Sequence, residues 1–288
     1  MPSWTLVILS CCVLPSLGPG QVRDLISGEY SAGFLHKNLI PLSKWHPFPR
    51  ASERAMWANI PELLSKEYLS RGEEALSYQW PALTTDMYLE YSRTGTRRNY
   101  DRLHHERRSK IQDLVLAECI EHNGKYLEKI FEGIHLLSKE PTWVVPAHLG
   151  GLQSNPNVPD TLRPVVDLYS GETGNLLAWT HYLLGDELAG ISPALPKLIE
   201  SELKTRLLDP NLQRDDFWWM WTPGKKHSGH TINNWTPWIC SNWLAVALLM
   251  ESNDEIRQQT VSKIALTLDR FLNTCSEDGG VDEGPNYW

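Results

Sequence analysis

Residues 230–272 read HTINNWTPWICSNWLAVALLMESNDEIRQQTVSKIALTLDRFL. From Val246 to Leu272 apolar residues recur at three-and-four spacing, the period of a helix with one buried face. Thr236 is a good N-cap, and Pro237 suits a first helical position, where its missing N–H costs nothing. The spacing therefore predicts helices over 237–250 and 255–273. Asn233 and Asn234 fall just before the first of these, at the positive end of a helix dipole where free N–H groups attract anions. Downstream, residues 278–288 read DGGVDEGPNYW, a Gly-rich acidic segment that carries a phenol, Tyr287. Amides that can hold a carboxylate, a phenol that can move a proton and a field of Trp point to chemistry on an acidic sugar.

Working outward, the same period predicts helices over 53–68, 74–93, 107–122, 126–138, 162–184 and 194–208. Gly72, Gly124 and Gly185 sit where helix stops belong. No run of alternating residues reads as a strand. Connections alternate between short and long, the long ones being 139–161 and 209–236. The expected class is all-α, with stacked antiparallel helix pairs whose long loops gather at one end and line a cleft. An α-solenoid or an irregular bundle is the alternative.

The 288 residues carry a formal net charge of -8, which argues against nucleic acid as the main partner. With 41% hydrophobic and 22% charged residues the chain is globular. Residues 4–17 form an apolar run too short to span a membrane. With Gly18 and Gly20 behind it, the stretch 1–20 reads as a secretory signal peptide, although no Lys or Arg precedes its apolar core. A secreted or periplasmic location is expected. Residues 21–50, with Pro41, Pro47 and Pro49, read as a lead-in that wraps the main domain, 51–288. Cys119, Cys240 and Cys275 have no metal-ligand spacing and no disulfide framework. No cofactor and no metal site is read from the sequence.

Several words together resemble the heparinase II/III-like polysaccharide lyases. They are NNWTPWICSN at 233–242 and DEGPNYW at 282–288, with TRRNY at 96–100, LVLAECIEHNGKY at 114–126, WVVPAH at 143–148 and LLAWTHYLLG at 176–185 upstream. The resemblance runs from about Trp57 to the end. It implies an incomplete (α/α) toroid grooved along one face. It also implies that the chain is truncated, because family members continue into a C-terminal β-sandwich that closes the cleft; the fragment is then expected to be feebly active or inactive. The implied activity is β-elimination on a uronate polysaccharide, heparin-like or alginate-like.

That reaction removes the proton alpha to a carboxylate and expels the 4-linked oxygen. The resemblance assigns carboxylate neutralisation to Asn233 and Asn234, and proton transfer to Tyr287. Where the family often has a His base, this chain has Asn234, so Tyr287 is expected to act as both base and acid. His230 is the alternative base, within a loop that also holds Lys225, Lys226 and His227. Trp143, His148, Trp235, Trp238, Glu172 and Glu283 are the candidate substrate contacts. Arg97, Arg98, Arg107 and Arg108 read mostly as solvated helix charges. Two other readings stand beside the lyase. One is a glycoside hydrolase pairing Asp282 or Glu283 with Glu172 or Asp167. The other is a non-catalytic sugar-binding remnant.

Overall fold

The computed structural model describes residues 22–227, 229–276 and 278–280. The 1–20 segment, Tyr287, Asp282 and Glu283 lie outside the described residues. Among the described residues there are helices and no strand, and no helix is long and apolar enough to cross a membrane.

In chain order the helices are α1 (Ala32–Asn38), α2 (Arg54–Trp57), α3 (Glu62–Leu76), α4 (Thr85–Thr94), α5 (Arg98–Glu121) and α6 (Leu127–Lys139). There follow α7 (Pro146–Leu149), α8 (Leu168–Ile191), α9 (Ala194–Leu203), α10 (Asp209–Gln213), α11 (Trp235–Met250) and α12 (Asp254–Leu272). A π turn, Lys204–Leu208, joins α9 to α10. Helices α5, α8 and α11 touch in series; α6 packs between α5 and α8, and also touches α9. Helix α9 lies on α8, and α12 on α11. Helix α3 packs along α5, and one apolar core runs through these contacts, filled by residues such as Ile111, Leu114, Ile130, Leu177 and Val246.

The places where helix boundaries depart from the sequence pattern have local causes. Residues 53–68 are not one helix: the chain stops after Trp57 and restarts at Glu62, behind Pro61. Residues 74–93 are likewise split, because α3 ends at Leu76, Pro81 interrupts, and α4 begins where the Thr84 hydroxyl accepts the Met87 N–H. Gly72 and Gly185 are interior to α3 and α8 instead of ending helices. A Cβ on Gly72 would lie 2.3 Å from the Ala117 Cβ, so this glycine serves the close approach of α3 to α5. Helix α8 starts at Leu168, not 162, because the Asp167 carboxylate caps it by accepting the Ser170 N–H at 2.8 Å.

The segment before α2 is hydrogen-bonded to the helices at two places. At one end the Asp269 carboxylate of α12 accepts from the Ile26 N–H at 2.8 Å, the Ser27 N–H at 2.8 Å and the Ser27 hydroxyl at 2.6 Å. At the other, the Tyr182 hydroxyl of α8 donates to the Phe48 carbonyl at 2.6 Å, and the Ala51 N–H to the Leu183 carbonyl at 3.0 Å.

Arg107 and Arg108 are buried, which corrects the solvated reading. Both guanidinium groups pair with the buried carboxylate of Glu140, at 2.9 and 2.7 Å. Arg108 Nε also donates to the Thr173 hydroxyl at 2.6 Å, and Arg206 donates to the Glu140 carbonyl at 2.7 Å. A carboxylate that is this well paired and hydrogen-bonded can be buried without ruin. Glu140 thus joins α5, through Arg108 and Thr173 also α8, and through Arg206 the π turn after α9, to the start of the long loop that carries His148.

Candidate functional site

The site is built on the first turn of α11. Asn234 is the residue before the helix, and Trp235 is its first residue. Thr236 is not the cap expected: its hydroxyl turns inward and donates to the buried Trp219 carbonyl at 2.6 Å. Asn233 takes the capping role, its Oδ1 accepting the Trp235 N–H at 3.0 Å. That bond holds Asn233 by its oxygen and leaves the Nδ2 hydrogens as its donors. Pro237 falls in the first turn, where no intrahelical N–H bond is lost.

From Trp235 a continuous ribbon of rings crosses the face. His230 stacks on Trp218 with centroids 4.2 Å apart. Trp218 meets Trp235 at 4.8 Å, and Trp235 meets His148 at 4.6 Å. His148 stacks on Tyr169 at 5.2 Å, and Tyr169 meets His105 edge-on at 4.6 Å. Five stretches of chain thus supply the ribbon: α5, the stretch around α7, the start of α8, the loop that carries Trp218 and His230, and the start of α11.

His148 is held from behind. Its Nδ1 lies 2.8 Å from Oδ2 of Asp167. The other oxygen of Asp167 accepts from the Ser170 N–H and hydroxyl, both at 2.8 Å. Every contact of this carboxylate is as an acceptor, so the hydrogen sits on Nδ1 of His148. In the neutral ring, Nε2 then presents a lone pair, the tautomer a general base needs.

Tyr169 was not singled out from the sequence. Its phenol is half-buried, and burial raises its pKa, while the Arg97 charge pulls the other way. Arg97 is itself tied to Asp101 by a 2.5 Å contact from Nε. His105, also unforeseen, is kept below the usual histidine range chiefly by burial. Glu172 accepts from the exposed indole of Trp238 at 3.1 Å. Burial raises the Glu172 pKa; the Trp238 hydrogen bond opposes this, and the Asp167 charge adds to it. Glu172, His105 and Arg108 line a cavity of about 650 Å³ between α5, α8 and α11, together with Asn175, Trp179 and Asn242.

Not every expected contact joins this surface. Trp143 is 2% exposed, its N–H bonded to the Leu137 carbonyl at 3.0 Å and its ring covered by Arg206. It is a core residue with no open ring face, so the reading of it as a substrate contact is corrected. Of the six Trp between 218 and 243, Trp218, Trp219 and Trp243 are buried, while Trp221, Trp235 and Trp238 keep surface. Lys225 and Lys226 line a separate cavity of about 630 Å³ beside Arg163 and Arg214, with Asp160 and Asp216 among them. His227 stacks instead on Trp221 at 3.9 Å. Among the described residues no group of three His, Cys, Asp or Glu is arranged to hold a metal ion.

No protein-family model matches the chain, and no curated protein matches it.

Proposed function

We propose that the protein is a polysaccharide lyase that cleaves a uronate-containing polysaccharide by β-elimination. The observation that carries this reading is the meeting of the Asn233–Asn234 helix start with the ring ribbon through His230, Trp218, Trp235 and His148. A sugar carboxylate at the start of α11 would meet amide donors and the positive end of a helix dipole. Neutralising that carboxylate makes the neighbouring C–H acidic enough to lose its proton. The electron pair left on carbon then forms the new double bond as the 4-linked oxygen departs with a proton.

Tyr287 is the residue proposed to move both protons, from the likeness of DEGPNYW to the lyase word. His230, on the same ribbon as the amides, is the alternative base. Trp238 supplies an exposed ring for the apolar sides of sugars, with the part-buried Trp235 beside His148 as a further contact. The serial packing of α5, α8 and α11, with α6 and α9 against α8 and α12 against α11, suits the proposed incomplete (α/α) toroid of antiparallel pairs. A secreted or periplasmic setting suits such a substrate.

Glycoside hydrolysis is the second reading, favoured by the raised pKa of Glu172, the character of a general acid. Asp167 cannot be its open partner, because both oxygens are engaged by His148 and Ser170.

The test is to incubate the protein, in the longest form its gene encodes, with heparin-like and alginate-like polymers. Ultraviolet absorbance of the unsaturated sugar and new reducing ends should rise together. Reducing ends without absorbance would select the hydrolase; oligosaccharide binding without either would select a non-catalytic role.

A further inference from the structure

Away from this site, a cavity of about 450 Å³ lies between the lead-in and the outer faces of α11 and α12. Leu244, Leu248 and Ile264 form its walls. Tyr30, Phe34 and Ile40 line it too and remain exposed, so the mouth itself is apolar. Among the described residues, Arg257 is the one charged residue that lines it.

Arg257 is placed against two physical costs. It is 1% exposed, and none of its guanidinium nitrogens has a hydrogen-bond partner. It also stands in the first turn of α12, at the positive end of the helix dipole, where a cation is disfavoured. The nearest carboxylate oxygen, on the exposed Asp254, is 3.7 Å from Nη1, beyond hydrogen-bond length. Glu251 helps through space but uses an oxygen on the Asn253 N–H, at 2.8 Å. Arg257 thus lines an otherwise apolar cavity with a buried planar fork of five donors that has no hydrogen-bond partner among the described residues. Burial lowers the Arg257 pKa, as expected of an under-compensated cation.

A purely apolar ligand would leave those donors unpaired, and a small hydrophilic anion would leave the walls unfilled. We propose that this cavity binds a single-chain amphiphile ending in a carboxylate, the guanidinium of Arg257 pairing with the head and the leucine and isoleucine walls covering the chain. Carboxylate matches the fork geometry of guanidinium bidentately. The mouth of exposed Tyr30, Phe34 and Ile40 is the entry.

The experiment is calorimetric titration with decanoate, below its micelle concentration, beside decanol and acetate. Decanoate should bind, with decanol and acetate at least about tenfold weaker. Arg257→Met should keep or raise the melting temperature, since it removes a buried charge, and should lose the preference for decanoate over decanol. Leu248→Trp, which fills the chamber, should weaken both long-chain ligands by about tenfold or more. It carries the same test should Arg257→Met fail to fold. Absence of decanoate binding, equal binding by the parent and Arg257→Met, or indifference to Leu248→Trp would each overturn the proposal.

Discussion

The imidazole of His148 lies flat on the phenol ring of Tyr169, with 3° between the planes and 5.2 Å between centroids, while its Nδ1 meets Asp167 at 2.8 Å. Stack and carboxylate together fix the ring in position and in tautomer. Asp167→Asn should preserve the α8 cap, since the amide oxygen can still accept the Ser170 N–H. It should disturb the tautomer, because an amide N–H would face Nδ1. If His148 handles a proton, turnover should fall by about 10²–10⁴-fold with little change in melting temperature. Unchanged turnover would reduce the pair to a structural role.

Trp238 is 44% exposed and its indole N–H is engaged by Glu172, so its ring is a platform and not a core filler. Trp238→Ala should raise the Michaelis constant, leave the turnover number nearly unchanged, and shift the melting temperature little. A base or acid would behave in the opposite way, losing turnover. Steady-state kinetics on one uronate polymer separate the two.

Much of the helical frame can be read from the chain. The period through Ile111, Leu114, Val115 and Cys119 marks a stripe that is buried throughout. Helix ends are less legible, because Gly72 and Gly185 look like stops and are packing positions or tolerated interior residues. The amides and His230 stand out by their place before a helix. Tyr169 and His105 do not, since a Tyr after a capping Asp and a His within HHERR look like ordinary helix surface. Only the packing of α5, α8 and α11 brings them to His148. Trp143 misleads in the reverse direction, because an aromatic before a loop reads the same whether its ring faces a groove or the core.

Glu172 makes a pH prediction. Its folded pKa is raised above the ordinary 4.5 by burial. Its contribution to stability is therefore full below the unfolded value and is lost as pH rises through the folded one. Glu172→Gln cannot ionise, and its amide oxygen can still accept from Trp238. The variant should melt above the parent at neutral pH and close to it near about pH 4. Melting curves by circular dichroism give the difference at each pH; a variant that gains nothing on going to neutral pH would contradict the burial argument.

The Glu140 hub makes a stability prediction. Removing one partner of a buried ion pair leaves charge uncompensated, typically at a cost of about 3–5 kcal/mol. Glu140→Ala leaves both Arg107 and Arg108 without their carboxylate. It should lose at least that much stability in urea unfolding, whereas Glu106→Ala, which removes the exposed pair with Arg102, should lose about 0–1 kcal/mol. Similar losses for the two would show that the hub does not staple the fold.

The central claim is elimination without water. Elimination adds no solvent oxygen to either product; hydrolysis adds one per bond cleaved. Cleavage of a uronate polymer in water enriched in heavy oxygen, followed promptly by mass spectrometry of the new ends before they exchange, reads this directly. β-Elimination leaves an unsaturated non-reducing end, lighter by one water than its hydrolytic counterpart, and introduces no solvent oxygen by cleavage. A saturated end, with one solvent oxygen for each bond broken, would contradict it.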